Sequence, residues 1–209
     1  MMFAQGFENS ISKEKGRAFN LSLRLRRPEL GGEYDTAEAS FGYREYIPVW
    51  SRQVLAFRLD GAFGRGDTGR RVFYALGGPQ ERNLFLDVID QIYFGSTMLR
   101  GYPDATQSGN RYILSTVSYR LPLLEAFTGL ETVPLFLRRL KLAIFSDWAQ
   151  ASTDPLKWQP DAFSRSLGIE LVTEATFSWR LPVVARIGYA HGFDAAGEDQ
   201  FYFFMGHWY

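Results

Sequence analysis

The sequence predicts an all-β fold: the wall of an antiparallel transmembrane β-barrel, built from long strands. Three observations carry this. Aromatics make up 16% of the 209 residues, with 18 Phe, 11 Tyr, 5 Trp and 20 Gly, a composition that suits pleated, turn-punctuated chain better than helix. Apolar and polar residues alternate with period two along most of the chain, which sorts them onto opposite faces of an extended strand and would mix them around a helix. The alternating runs mostly reach about ten residues or more, longer than the roughly 5–6 of a soluble strand and matched to the roughly 9–11 of a membrane strand.

The elements follow in order. A short piece at residues 1–7 precedes the first long run, in which Phe19, Leu21, Leu23 and Leu25 alternate with Asn20, Ser22, Arg24 and Arg26. Ala37, Ala39, Phe41 and Tyr43 then oppose Glu38, Ser40, Gly42 and Arg44, and Leu55, Phe57, Leu59 and Phe63 oppose Arg58 and Asp60. Past a long interruption, Ile113, Val117, Tyr119 and Leu121 oppose Thr116, Ser118 and Arg120; Leu140, Leu142, Ile144 and Trp148 oppose Arg139, Lys141 and Asp147. The clearest run spans 163–179, with Phe163, Leu167, Ile169, Leu171 and Phe177 on one parity and Ser164, Ser166, Gly168, Glu170 and Glu174 on the other. Val183, Ala185, Ile187, Tyr189 and Phe193 oppose Arg186, Gly188 and Gly192, and Phe201, Phe203, Met205 and Tyr209 share the last face. That makes about nine strands.

Alternation alone leaves open which face meets water, because an apolar stripe serves a soluble core as well as a lipid-facing surface. Strand length favours lipid. So do the connections: those at 48–51 and 180–182 are tight, those at 68–110 and 151–162 long, the asymmetry of outer-membrane barrels. Trp50 and Trp179 stand at the tight turns and Trp148 near the far end of its strand, where rings suit a bilayer interface. Singly, each ring could simply cap a core edge.

Other classes find little support. Lys+Arg and Asp+Glu balance at 23 each, so no broad basic surface exists for nucleic acid. Without Cys there are no disulfides or thiolate sites, and His191 and His207 lie too far apart in sequence for a His-built metal site. No cofactor is expected. No stretch reaches the roughly 18 apolar residues of a membrane helix, and the start has no secretory signal pattern, so the chain either stays inside or lacks its front.

Particular residues resemble a known family. Gly77-Gly78, then Leu99-Arg100-Gly101-Tyr102, then Gly109-Asn110 opening a strand that ends Ser118-Tyr119-Arg120-Leu121-Pro122, resemble the C-terminal barrel of the bacterial surface antigen, or outer-membrane protein assembly factor, superfamily. That superfamily includes two-partner secretion transporters. The resemblance implies a 16-stranded barrel, of which this chain is the C-terminal part with about 8–9 strands, and a loop, 68–110, folded into the lumen with the tetrapeptide at its tip. Phe145-Ser146-Asp147 resembles the family's Phe-x-Asp motif, whose acid meets the loop arginine, so Asp147 on the polar parity is the expected partner of Arg100. An Arg–carboxylate contact would offset part of the entropy lost in ordering such a loop, and Gly101 would let the backbone turn sharply or approach the wall. Read without the family, Arg100 is a solvated loop residue and Asp147 an ordinary lumen charge.

The chain also departs from the pattern. Ser118 stands where the family has Glu, so a second acidic anchor is expected to be absent and loop docking weaker or rearranged. Residues 83–90 look like an insertion. The ending, with alternate Phe201, Phe203 and Met205, then Gly206 and terminal Tyr209, resembles the C-terminal sorting signal of outer-membrane barrels; five strands after an external loop would put that end in the periplasm.

The function implied is assistance to insertion of outer-membrane proteins or translocation of polypeptides at the bacterial outer membrane. Its partners would be the lipid bilayer, unfolded outer-membrane or secreted clients and periplasmic assembly factors, with no nucleic acid. A passive porin or structural barrel is the alternative, and a soluble ligand-binding barrel a weaker one. An enzyme would need a positioned nucleophile and base; the chain has no G-x-S-x-G, and His191 falls on the apolar parity.

Overall fold

A computed structural model describes residues 14–27, 35–50, 52–66, 73–78, 98–130, 133–178 and 180–207. Eight long strands form one antiparallel sheet: β1 (Gly16–Arg26), β2 (Thr36–Pro48), β3 (Val54–Gly66), β6 (Arg111–Leu130), β7 (Val133–Ser152), β8 (Ser164–Phe177), β9 (Leu181–Gly192) and β10 (Asp199–His207). They pair in chain order. Two short strands, β4 (Tyr74–Leu76) and β5 (Gln107–Gly109), make a separate ribbon between β3 and β6. Among the described residues β1 and β10 do not pair, so the sheet is open and not a closed barrel. The piece at 1–7, the insertion at 83–90, Trp179 and Tyr209 lie outside the described residues.

The connections are sorted by end. Those at 49–53, 131–132 and 178–180 share one end, and those at 27–35, 67–110, 153–163 and 193–198 share the other. The first short turn closes through Val49 N to Gln53 O at 2.9 Å and Gln53 N to Trp50 O at 2.7 Å. The tight connection expected at 180–182 sits at 178–180, so Leu181 and Pro182 already belong to β9.

β6 and β7 form a hairpin of 20-residue strands, considerably longer than the alternation suggests. Pro122 cannot donate to the ladder, and the register slips just after it and again between Glu125 and Thr128, where Phe127 takes a left-handed φ of 46°. Such bulges shift parity and hide a strand from a period-two reading.

Burial follows parity, but with the polar side covered. On β8, Ser164, Ser166, Gly168, Glu170 and Glu174 are buried, while Leu167, Ile169 and Phe177 are exposed. Leu23 is 70% exposed and Phe201 82%. The covered, inner face holds the packed residues: Leu76, Leu99 and Tyr102 from the loop lie against Ala62, Tyr112, Leu114 and Ala149 of β3, β6 and β7. Nothing described covers most of the apolar outer face, an inversion of the usual soluble arrangement.

Candidate functional site

The loop tip lies on the inner face. Leu99 N donates to Gly77 O at 2.7 Å and Gly78 N to Pro103 O at 3.1 Å, which ties the glycine pair to the tetrapeptide. Gly101 adopts φ +81°, and a Cβ there would fall 2.8 Å from Gly192 N and 3.0 Å from His191 C. Glycine therefore meets both demands, a left-handed backbone and contact with the β9 end. Gly101 N donates to Gln200 Oε1 at 3.0 Å, and Glu198 N to Gly101 O at 2.9 Å.

Arg100 is 7% exposed and points into the wall. Its Nε and Nη2 donate to Asp147 Oδ2 and Oδ1 at 2.8 and 2.7 Å, a two-pronged fork. Its Nη1 donates to Glu170 Oε1 at 2.5 Å. The guanidinium carbon lies 3.3 Å from the centroid of the Phe145 ring, which forms the floor of the slot. Burial works against the charge of Arg100, but Asp147 and Glu170 more than offset it and hold its pKa above the ordinary guanidinium value.

Register explains the slot. Phe145 pairs with Gly168, Asp147 with Ser166 and Ala143 with Glu170, so the two acids stand two positions to either side of one ring–glycine pair, on adjacent strands of one face. A Cβ on Gly168 would lie 2.3 Å from Phe145 Cζ, so only glycine lets the ring lie across β8.

Further residues brace the acids. Thr116 Oγ1 donates to Asp147 Oδ1 at 2.7 Å and Tyr202 Oη to Glu170 Oε1 at 2.7 Å, while Arg186 Nη1 lies 3.5 Å from Glu170 Oε2. Tyr102, fully buried, accepts Arg165 N–H on its hydroxyl at 2.9 Å and donates to Arg165 O at 2.7 Å or Asp194 Oδ2 at 2.8 Å. Burial first, then the bond to Asp194, raises its phenol pKa.

The structure thus brings together Leu99, Arg100, Gly101, Tyr102, Phe145 and Asp147. It corrects the expectation that a second acidic anchor is absent: Ser118 supplies none, but Glu170 does so from β8. Glu170 was visible only as an acid on the polar parity of its strand; the register that aims it at Arg100 was not. Phe201, Phe203 and Met205 lie apart, on the exposed face of β10, and Gly206 is a residue of the same strand.

A second charged cluster went unread. Lys141 Nζ lies 2.5 Å from Glu14 Oε1 and 2.8 Å from Glu174 Oε1, and Arg139 Nη1 lies 3.5 Å from Glu14 Oε1. It ties Glu14, two residues ahead of β1, to β7 and β8 at the short-turn end. Its acid Glu14 precedes any alternating run, so periodicity could not flag it.

Chemically, the Arg100 site is a fully committed clasp: each guanidinium nitrogen meets a carboxylate oxygen. Among the described residues no group of three or more His, Asp or Glu is arranged to hold a metal ion. His191 Nδ1 and Asp199 Oδ1 are 2.6 Å apart, exposed and on the outer face. No family model matches the chain, and a search of curated proteins finds no match either.

Proposed function

We propose that the chain is part of an outer-membrane β-barrel of the surface antigen or assembly factor type, whose lumen is governed by the docked loop and which assists insertion or translocation of polypeptides. The observation that carries this reading is the inverted burial: exposed Leu, Ile and Phe on one face of long strands, and Arg100 clasped by Asp147 and Glu170 on the other. A soluble sheet would leave that apolar face in water at about 25 cal/mol per Å², whereas a bilayer covers it without protein.

The sorting of short and long connections supports the same orientation, with the short turns and the chain end periplasmic. Passage of a polypeptide needs no covalent chemistry, only a lumen that the loop vacates, and the clasp sets the free energy of that step. A passive porin would have less use for a buried Arg fork on a loop tip.

Two measurements test the proposal. The exported chain should sediment with membranes after alkaline washing and migrate differently on gels before and after boiling; recovery as a monomer in detergent-free buffer would overturn the membrane assignment. In the full-length protein, Arg100→Ala should alter polypeptide insertion or secretion, and unchanged transport alongside a freed loop would overturn the gating role.

A further inference from the structure

Every part of the slot that receives Arg100 belongs to the wall. Phe145 supplies the floor and Gly168 leaves room for its ring. Thr116 holds Asp147 at 2.7 Å, and Tyr202 and Arg186 hold Glu170 at 2.7 and 3.5 Å. The loop contributes the cation alone, so both carboxylates stay behind when the tip leaves.

Glu170 then retains Arg186, but among the described residues Asp147 has no ion pair other than that to Arg100. The next arginine in its row, Arg58, faces Thr116 from β3, about 10 Å off by strand spacing, and is held by Asp60. A carboxylate fixed in a wall beside a flat aromatic ring selects a flat cation with paired donors, a guanidinium over an ammonium.

The surroundings of the slot also read main chain. Gly101 N donates to Gln200 Oε1 at 3.0 Å, Glu198 N to Gly101 O at 2.9 Å and Gln200 Nε2 to Tyr102 O at 3.3 Å. None of these three bonds depends on which side chains the loop carries. They suit any polypeptide whose arginine enters the slot, provided that the next residue is glycine, because a Cβ there would lie 2.8 Å from Gly192 N.

We propose that the slot is a polypeptide-binding site whose resident ligand is the loop tip: during passage an Arg-Gly pair of the client takes the place of Arg100-Gly101. The vacated acids are thereby neutralised by the chain in transit, and the loop re-docks once that arginine moves on. The inference rests on the translocation reading above and names the client feature that the lumen recognises.

The test uses the whole chain in detergent micelles and a short Gly/Ser peptide with one central Arg-Gly pair, with hydrogen exchange across 98–106 reporting loop docking. In the parent chain the Arg-Gly peptide should speed that exchange several-fold. Counterparts with Lys-Gly or Arg-Val should need about tenfold higher concentrations for the same effect. In Arg100→Ala, ethylguanidinium should refill the slot and slow the exchange towards the parent rate, whereas ethylammonium at the same concentration should not. Loop exchange in the parent that the Arg-Gly peptide leaves unmoved, or that the Lys-Gly peptide moves equally, would overturn the client site, whatever the fate of the variant. That result leaves the membrane and transport assignments standing, since sedimentation and secretion read those separately.

Discussion

Two charged clusters share the inner face of β7 and β8, and they are built differently. Near the loop, one arginine lies on Phe145 with a carboxylate of Asp147 and one of Glu170 at its nitrogens. At the short-turn end, two cations, Arg139 and Lys141, gather Glu14 and Glu174. The first is planar and directional, so it specifies one pose of the loop tip. The second uses a compact ammonium at its centre, which tolerates several acid positions and fixes a chain end with less geometric demand. A clasp that must release and re-form in one geometry suits the first; a permanent tether suits the second.

Breaking the planar clasp should have the largest effect. Arg100→Ala leaves Asp147 and Glu170 buried without their cation, at about 3–5 kcal/mol against the docked loop, read as faster proteolysis or hydrogen exchange across 98–106. Arg100→Lys should recover only part, since an ammonium cannot reproduce the fork. Asp147→Asn should cost more than Glu170→Gln, each about 1.5–3 kcal/mol, because Asp147 accepts two of the three guanidinium bonds and that of Thr116 as well. Gly101→Ala should cost about 1–3 kcal/mol through its left-handed backbone; loop exchange equal to the parent's would refute the close approach to Gly192.

The contrast itself can be sharpened. Glu170 and Glu174 are four residues apart on one strand, about 13 Å, so Lys141→Met and Arg100→Ala should add within about 0.5 kcal/mol in unfolding measurements. Strong coupling would merge the two clusters into one network. The smallest effect is expected at the exposed Arg52–Glu125 pair, where Arg52→Ala should change stability by less than about 1 kcal/mol.

Strand identity was legible wherever one face stayed apolar and the other polar over an unbroken run, as on β8. It failed between Pro122 and Val133, where bulges shift the parity and the short hairpin turn carries no signal of its own. The loop tip was legible because four adjacent residues carry it. Glu170 was not: its role depends on which residue of β7 it faces, and a slip of one position would have turned it to the other side. Trp158 lies in a connection, where alternation says nothing, so its place beside Phe163 is seen only in the structure.

The Arg100 clasp has a mechanical consequence. Thr116, Asp147, Glu170, Arg186 and Tyr202 sit on five consecutive strands, β6 to β10, and all converge on one guanidinium or on the acids it holds. The loop tip is therefore a cross-tie over that stretch of wall. Withdrawing it does more than clear space, because the same motion takes away the side-chain ties that span those strands and leaves the main-chain ladder alone to hold them.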